Sequence, residues 1–354
     1  MIQVVLFLWL AQQSVSPEGA QHMQAGVEAH KQGRFDLAIA EFRKATVSDP
    51  NLADAFLDLG EELMQTRDYG PAIAPLKRAL ELNPSLDAAH LQLGYALLSE
   101  GYAAEAIPHL ERVNAVEALG IAQIDTGQYQ EAVTNLNAAL AKRPGDPDLL
   151  YYLGRASGLL AKRAIDTLLA AYPDSARAHQ AMGENYFALR QMPQAETEFG
   201  EAVHQRPEIP GLHLELGLAY AGTARWDKAE EEFRVETKMQ PGNPEAAYRL
   251  GDALLQQGKT HEARQELARS DLLKPDMPET LYSLGKAASL DGNSAAAEKA
   301  WTRVIELEKE SSLAAQAHFG LARLYRKQGK TAQAQREMQE FQKLQGAIGP
   351  PRSE

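Results

Sequence analysis

The residue runs that could do chemistry are few, and each fails at its spacing. Gly258-Lys259-Thr260 and Gly329-Lys330-Thr331 end like a phosphate-binding loop. Such a loop wraps backbone N–H groups around phosphates and needs another glycine five residues before its Gly-Lys pair. Ala253 and Leu324 stand there instead. His261-Glu262 opens like a zinc-protease helix, but Gln265 occupies the place of the second ligand. In Gly154-Arg155-Ala156-Ser157-Gly158 the serine is misplaced for a nucleophile elbow. With no cysteine in the chain, a disulfide, a thiolate zinc site, a cysteine nucleophile and a lipidated cysteine are all excluded. No catalytic residue, metal site or cofactor is assigned. The chain reads as a non-enzyme without a small-molecule substrate. Its net charge of −12, with both signs interspersed and no basic block, argues against nucleic acid as a partner.

Both Gly-Lys-Thr triplets fall at the same place in a larger period, and that period organises the chain. Ala176–Ile209 is 34 residues long and reads as two amphipathic helices joined by a short turn. Gly183 and Tyr186 lie on the first helix, Ala195, Phe199 and Ala202 on the second, and Pro207 closes it. Glycine inside a helix costs about 0.5–1 kcal/mol relative to alanine, so its recurrence needs a reason. The reading is a close crossing of the two helices, with no room for a larger side chain at positions 8 and 20. Proline at position 32 cannot continue the helix. One such unit cannot bury its apolar face alone, so units must stack.

Ten units follow from this ruler. The first four are marked by Gly26, Gly60, Gly94 and Gly120 at position 8, and by Ala38, Ala72, Ala106 and Ala132 at position 20. The third has its second helix cut short near Arg112. A fifth is marked by Gly154, Ala161 and Pro173, with an inter-helix turn shortened by about a turn and a half of helix. Units six to nine keep strict register through Gly183, Gly217, Gly251 and Gly285. The tenth has Ala322 in place of glycine, followed by Tyr325 and Ala334.

These signature residues, over roughly residues 19–345, resemble the tetratricopeptide repeat family. The resemblance implies an all-α, right-handed superhelical solenoid of about ten helix-turn-helix repeats. It also implies a concave groove, lined by first helices, that holds a peptide or protein segment. His22, His90, His179, His213 and His318 all fall at position 4, where the family carries a partly buried aromatic, so they are expected to pack rather than bind metal. Positions 5 and 9 would face the groove. The candidate binding residues are therefore Leu57, Leu91, Tyr95, Tyr151 and Arg155, then Tyr248, Tyr282, Phe319, Lys286 and Arg323. This groove is expected to be apolar at its start and aromatic and cationic at its end. The function implied is a non-catalytic scaffold for a protein partner. The alternative is a structural homo-oligomer, or an accessory subunit of an envelope assembly, whose groove is self-occupied.

Four segments are expected: 1–18, apolar; 19–175, irregular repeats; 176–345, regular repeats ending in a polar helix Thr331–Gln345; and 346–354, a disordered tail. The apolar run Ile2–Ala11 has the length of a signal-peptide core and about half that of a membrane span. No Lys or Arg precedes it, and the best cleavage site, Ser14-Val15-Ser16, is followed by Pro17. Export to a periplasm or cell envelope is favoured over the cytoplasm; otherwise this segment is a helix capping the first repeat.

Overall fold

The computed structural model describes residues 15–348, and among these it contains nineteen α-helices and no strand. The chain divides into two compact units, 1–164 and 165–354. The first holds four helix pairs: α1 (Pro17–Lys31) with α2 (Phe35–Ser48), α3 (Ala53–Gln65) with α4 (Tyr69–Leu82), α5 (Asp87–Ser99) with α6 (Ala103–Arg112), and α7 (Val116–Asp125) with α8 (Tyr129–Lys142). One long helix follows, α9 (Pro147–Ala171), and the boundary between the units falls inside it. The second unit holds five pairs: α10 (Ala176–Ala188) with α11 (Met192–Gln205), α12 (Leu212–Gly222) with α13 (Trp226–Met239), α14 (Pro244–Gln256) with α15 (Thr260–Leu273), α16 (Pro278–Leu290) with α17 (Ser294–Glu308), and α18 (Ser312–Lys327) with α19 (Thr331–Ile348). No helix among the described residues is long and apolar enough to cross a membrane.

The recurrent glycine marks a close crossing, but its neighbour is position 24 and not position 20. A Cβ built on Gly183 would lie 2.6 Å from the Phe199 ring. The same holds for Gly217 against Phe233, Gly60 against Leu76 and Gly251 against Leu267, at 2.5–2.6 Å. Position 20 contributes its backbone: the carbonyl oxygens of Ala132 and Ala263 would sit 3.4 and 3.2 Å from such a Cβ. The position-20 alanines of the paired units, among them Ala38, Ala195 and Ala297, are fully buried.

The fifth unit departs from the expected helix-turn-helix. α9 runs unbroken through Gly154 and Ala161. A Cβ at Gly154 would meet nothing within 4 Å, and Ala161 is exposed, so neither residue sits at a crossing. The physical reason is the lost turn. Elsewhere the first helix ends on a residue with positive φ, such as Gly258 or Gly329 at +74°. No residue of α9 has positive φ, and Ala, Leu, Lys and Arg around 159–164 continue a helix readily. The early part of α9 packs Leu149 and Ala156 against Leu136 and Ala139 of α8.

The chain ends also correct expectations. Residues 346–348, assigned above to a disordered tail, form part of α19. At the other end, Ser16 caps α1 by accepting from Gly19 N at 2.9 Å, and its own hydroxyl donates to Asp49 at 2.9 Å. The apolar run that motivates export, and residues 349–354, lie outside the described residues.

The position-4 histidines do more than pack. His22, His179, His213 and His318 each donate through Nδ1 to a glutamate nineteen residues on: Glu41, Glu198, Glu232 and Glu337, at 2.6–2.7 Å. Each clamp ties a first helix to its second. In the third repeat the glutamate is replaced by His109, whose Nδ1 lies 2.8 Å from that of His90. The bond to Glu232 holds the His213 imidazole above its ordinary pKa, whereas burial, then the charge of His90, holds His109 below it.

Candidate protein-binding grooves

The two Gly-Lys-Thr triplets are turns. Gly258 and Gly329 close α14 and α18, with Lys259 N bonded to Leu254 O and Lys330 N to Tyr325 O, both at 2.9 Å. Lys259 Nζ is committed to Glu230 at 2.6 Å. Among the described residues no three His, Asp or Glu side chains converge on a possible metal site.

In the first unit the expected apolar groove carries charge. A concavity of about 290 Å³ is lined by Val27, His30, Asp58, Glu61 and Glu62 among others. Leu57 is half-buried against the core, so its bulk goes to packing. Burial, reinforced by Glu61, pushes the Asp58 carboxyl up to about 6. Leu91 is half-buried and Tyr95 is 38% exposed. Tyr151, 66% exposed, stands edge-on to Tyr152 at 5.3 Å, and Arg155 reaches Asp125 at 3.5 Å. None of these five lines the concavity. They do not form one site.

The second unit gathers its candidates better. Tyr282 and Lys286 of α16 meet Phe319 and Arg323 of α18 around a cavity of about 400 Å³. Lys286 Nζ lies 5.9 Å from the Tyr282 ring, and the Arg323 guanidinium lies 5.9 Å from the Phe319 ring. Phe319 also touches the Phe341 ring of α19 at 5.1 Å, yet stays 38% exposed. Tyr248 sits one repeat earlier, half-buried against the α12–α15 core, with the Arg249 guanidinium 5.0 Å from its ring. Burial, then the Asp252 carboxylate, pushes its hydroxyl up to about 12.

The residues missed from sequence are those that build the floor. Trp301 of α17 lies under the cavity, 4% exposed, with Nε1 donating to Tyr282 O at 3.2 Å. It fits because two glycines flank it: Gly285, where a Cβ would lie 2.4 Å away, and Gly320, where it would lie 3.0 Å away. Gly320 was the readable signal, since the other nine units carry a side chain at that position. Lys327, one turn beyond Arg323, completes the cationic rim.

Nearer the start of this unit, Glu215 accepts twice from Gln180 Nε2 at 3.2 Å. Burial is the main cause that lifts its carboxyl to about 7. A carboxyl raised in the folded state keeps a proton that the unfolded chain loses. Folding is therefore disfavoured progressively from pH 4.5, its ordinary value, up to about 7. Glu215→Gln should gain on the order of 1 kcal/mol at about pH 8, after allowance for partial exposure, and nothing at about pH 4. Urea denaturation at the two pH values reads this difference.

Comparison with known proteins accords with this geometry. The family model described as "Tetratricopeptide repeat" matches residues 23–87, 57–115, 117–157, 180–244, 214–278 and 282–343. The chain belongs to the tetratricopeptide repeat family. Such repeats build scaffolds for protein–protein interaction, and this chain is one by fold. Solved structures similar to it include a crystal structure of MamA at 17% identity and TM-score 0.44, covering 49% of this chain and 92% of that one. The Cut9–Hcn1 hetero-tetramer of APC/C matches at 14% identity and 0.46, covering 94% and 88%, and yeast Tom70 at 15% and 0.41, covering 92% of each. No curated protein matches the chain.

Proposed function

We propose that this repeat protein is a non-catalytic adaptor that binds a segment of a partner protein on the first-helix face of its second unit. The observation that carries this reading is the cavity between α16 and α18. It sets Tyr282 and Phe319 beside Lys286 and Arg323, above a tryptophan that two glycines make room for. Aromatic and arginine side chains are the commonest anchors at interfaces; aromatic rings bury large area with few rotatable bonds, and the arginine guanidinium stacks on rings and pairs with carboxylates. Tyr248, one repeat away, extends the same face. The exported location remains part of the proposal and rests on the apolar run 2–11 alone.

The test compares proteins captured from native lysate by wild type and by the Tyr248→Ala, Tyr282→Ala, Phe319→Ala triple variant. Removing three anchors should weaken a specific partner by about 2 kcal/mol or more while the helical circular dichroism signal is kept. Identical capture lists from two folded proteins would overturn the reading.

A further inference from the structure

The cavity between α16 and α18 has a cationic lining in an acidic chain. The chain carries a net charge of −12, and the concavity of the first unit is rich in carboxylates. Yet Lys286, Arg323 and Lys327 line the second-unit cavity and no Asp or Glu lines it. On the outer face of the same repeats, cations are matched: Arg264 pairs with Asp291 at 3.0 Å and Arg303 with Asp276 at 2.7 Å. Inside the cavity, Lys286 and Arg323 face aromatic rings instead.

The spacing of these cations narrows what could match them. Arg323 and Lys327 are four residues apart on α18, so they stand on one face about 6 Å apart along its axis. In an extended chain, side chains on the same side recur every two residues, about 6.5 Å. Two carboxylates at positions i and i+2 of an extended segment therefore fit the two cations in register. A single terminal carboxylate would satisfy only one of them. The floor is apolar: Phe319 and Leu324 line it above the buried Trp301, and glycine at 320, where a Cβ would lie 3.0 Å from the Trp301 ring, adds no side chain there.

We propose that the cavity between α16 and α18 takes an extended acidic segment of a partner protein. One apolar side chain rests on Phe319, and two carboxylates two residues apart pair with Arg323 and Lys327. This rests on the groove reading given above and names the chemistry of its ligand. Lys286, across the cavity on α16, adds attraction for the segment as a whole.

The experiment is fluorescence anisotropy of the full chain with a fluorescein-labelled, C-terminally amidated peptide, Gly-Phe-Ser-Glu-Ser-Glu-Gly, whose phenylalanine and two glutamates recur every two residues and so share one side of an extended chain. One control replaces both glutamates by glutamine; a second does the same but ends in a free carboxylate. The acidic peptide should bind, and binding should weaken steeply between about 0.05 and about 0.5 M salt. The glutamine control should bind at least about tenfold more weakly, as should the acidic peptide to an Arg323→Glu, Lys327→Glu variant. Lys274→Glu, at an exposed helix end away from the cavity, should bind like wild type. Equal binding of the glutamine control, wild-type affinity in the double variant, or preference for the free-carboxylate control would each overturn the inference. If the aromatic triple variant loses a partner from lysate while the acidic peptide never binds, the groove reading stands and the acidic ligand is wrong. If neither happens, both fall.

Discussion

Trp301→Ala is expected to cost about 3–5 kcal/mol, the range for truncating a large buried aromatic. Trp301 is 4% exposed and packs with Leu281, Ala297, Leu321 and Tyr325. Two glycines sit against its ring, so those two positions have no side chain to fill the space it leaves. Contacts in a repeat array run mainly between neighbours, so the loss should fall on α16–α19. Urea unfolding of the variant should show an early transition from this end, with the repeats around α12–α15 melting later. Trp301→Phe is the informative companion. Phenylalanine occupies the equivalent crossing at Gly183–Phe199 and Gly217–Phe233. It should fold, losing mainly the bond to Tyr282 O, about 1 kcal/mol. If Trp301→Ala unfolds at the wild-type urea concentration, Trp301 is not the floor described.

The second large effect is a pair of identical substitutions with opposite signs. Gly183→Ala places a methyl 2.6 Å from the Phe199 ring, which is itself 2% exposed and has nowhere to move. Overpacking of this kind costs about 1–3 kcal/mol, more than the helix-propensity gain. Gly154→Ala meets nothing within 4 Å in the middle of α9. There the propensity gain stands alone, about 0.5–1 kcal/mol of added stability. Thermal unfolding of the two variants should move in opposite directions. Destabilisation by both would mean that α9 breaks into the helix pair its sequence resembles.

That pair also marks where the sequence could and could not be read. The period was legible because the glycine at position 8 and the bulky residue sixteen later are one contact repeated eight times. A sterically strict contact leaves a strict pattern. Gly154 keeps the residue type without the contact, and only the missing turn residues after it betray the change. The histidine clamps are not legible from position 4 alone. The glutamate nineteen residues on is visible in the sequence, but only if one asks which second-helix residue lies opposite. The candidate site was half legible: helical spacing put Tyr282, Lys286, Phe319 and Arg323 on one face. Trp301 and Gly320 are not legible from the period, because each departs from the residue that the repeat carries at its position. In the first unit, Leu57 looked like groove surface, yet that side chain is spent on the core and the carboxylates of Asp58 and Glu61 take its place.

The central claim is that the first-helix face of the second unit is where a partner segment lies. Benzoylphenylalanine introduced at Tyr282, and separately at Lys299 on the outer face, would test it most directly by photo-crosslinking in native lysate. A discrete adduct is expected from the Tyr282 site, suppressed by the Arg323→Glu, Lys327→Glu double variant, and none from the Lys299 site. An adduct from the Lys299 site, with none from Tyr282, would contradict the claim and move the binding surface to the opposite face of the repeats.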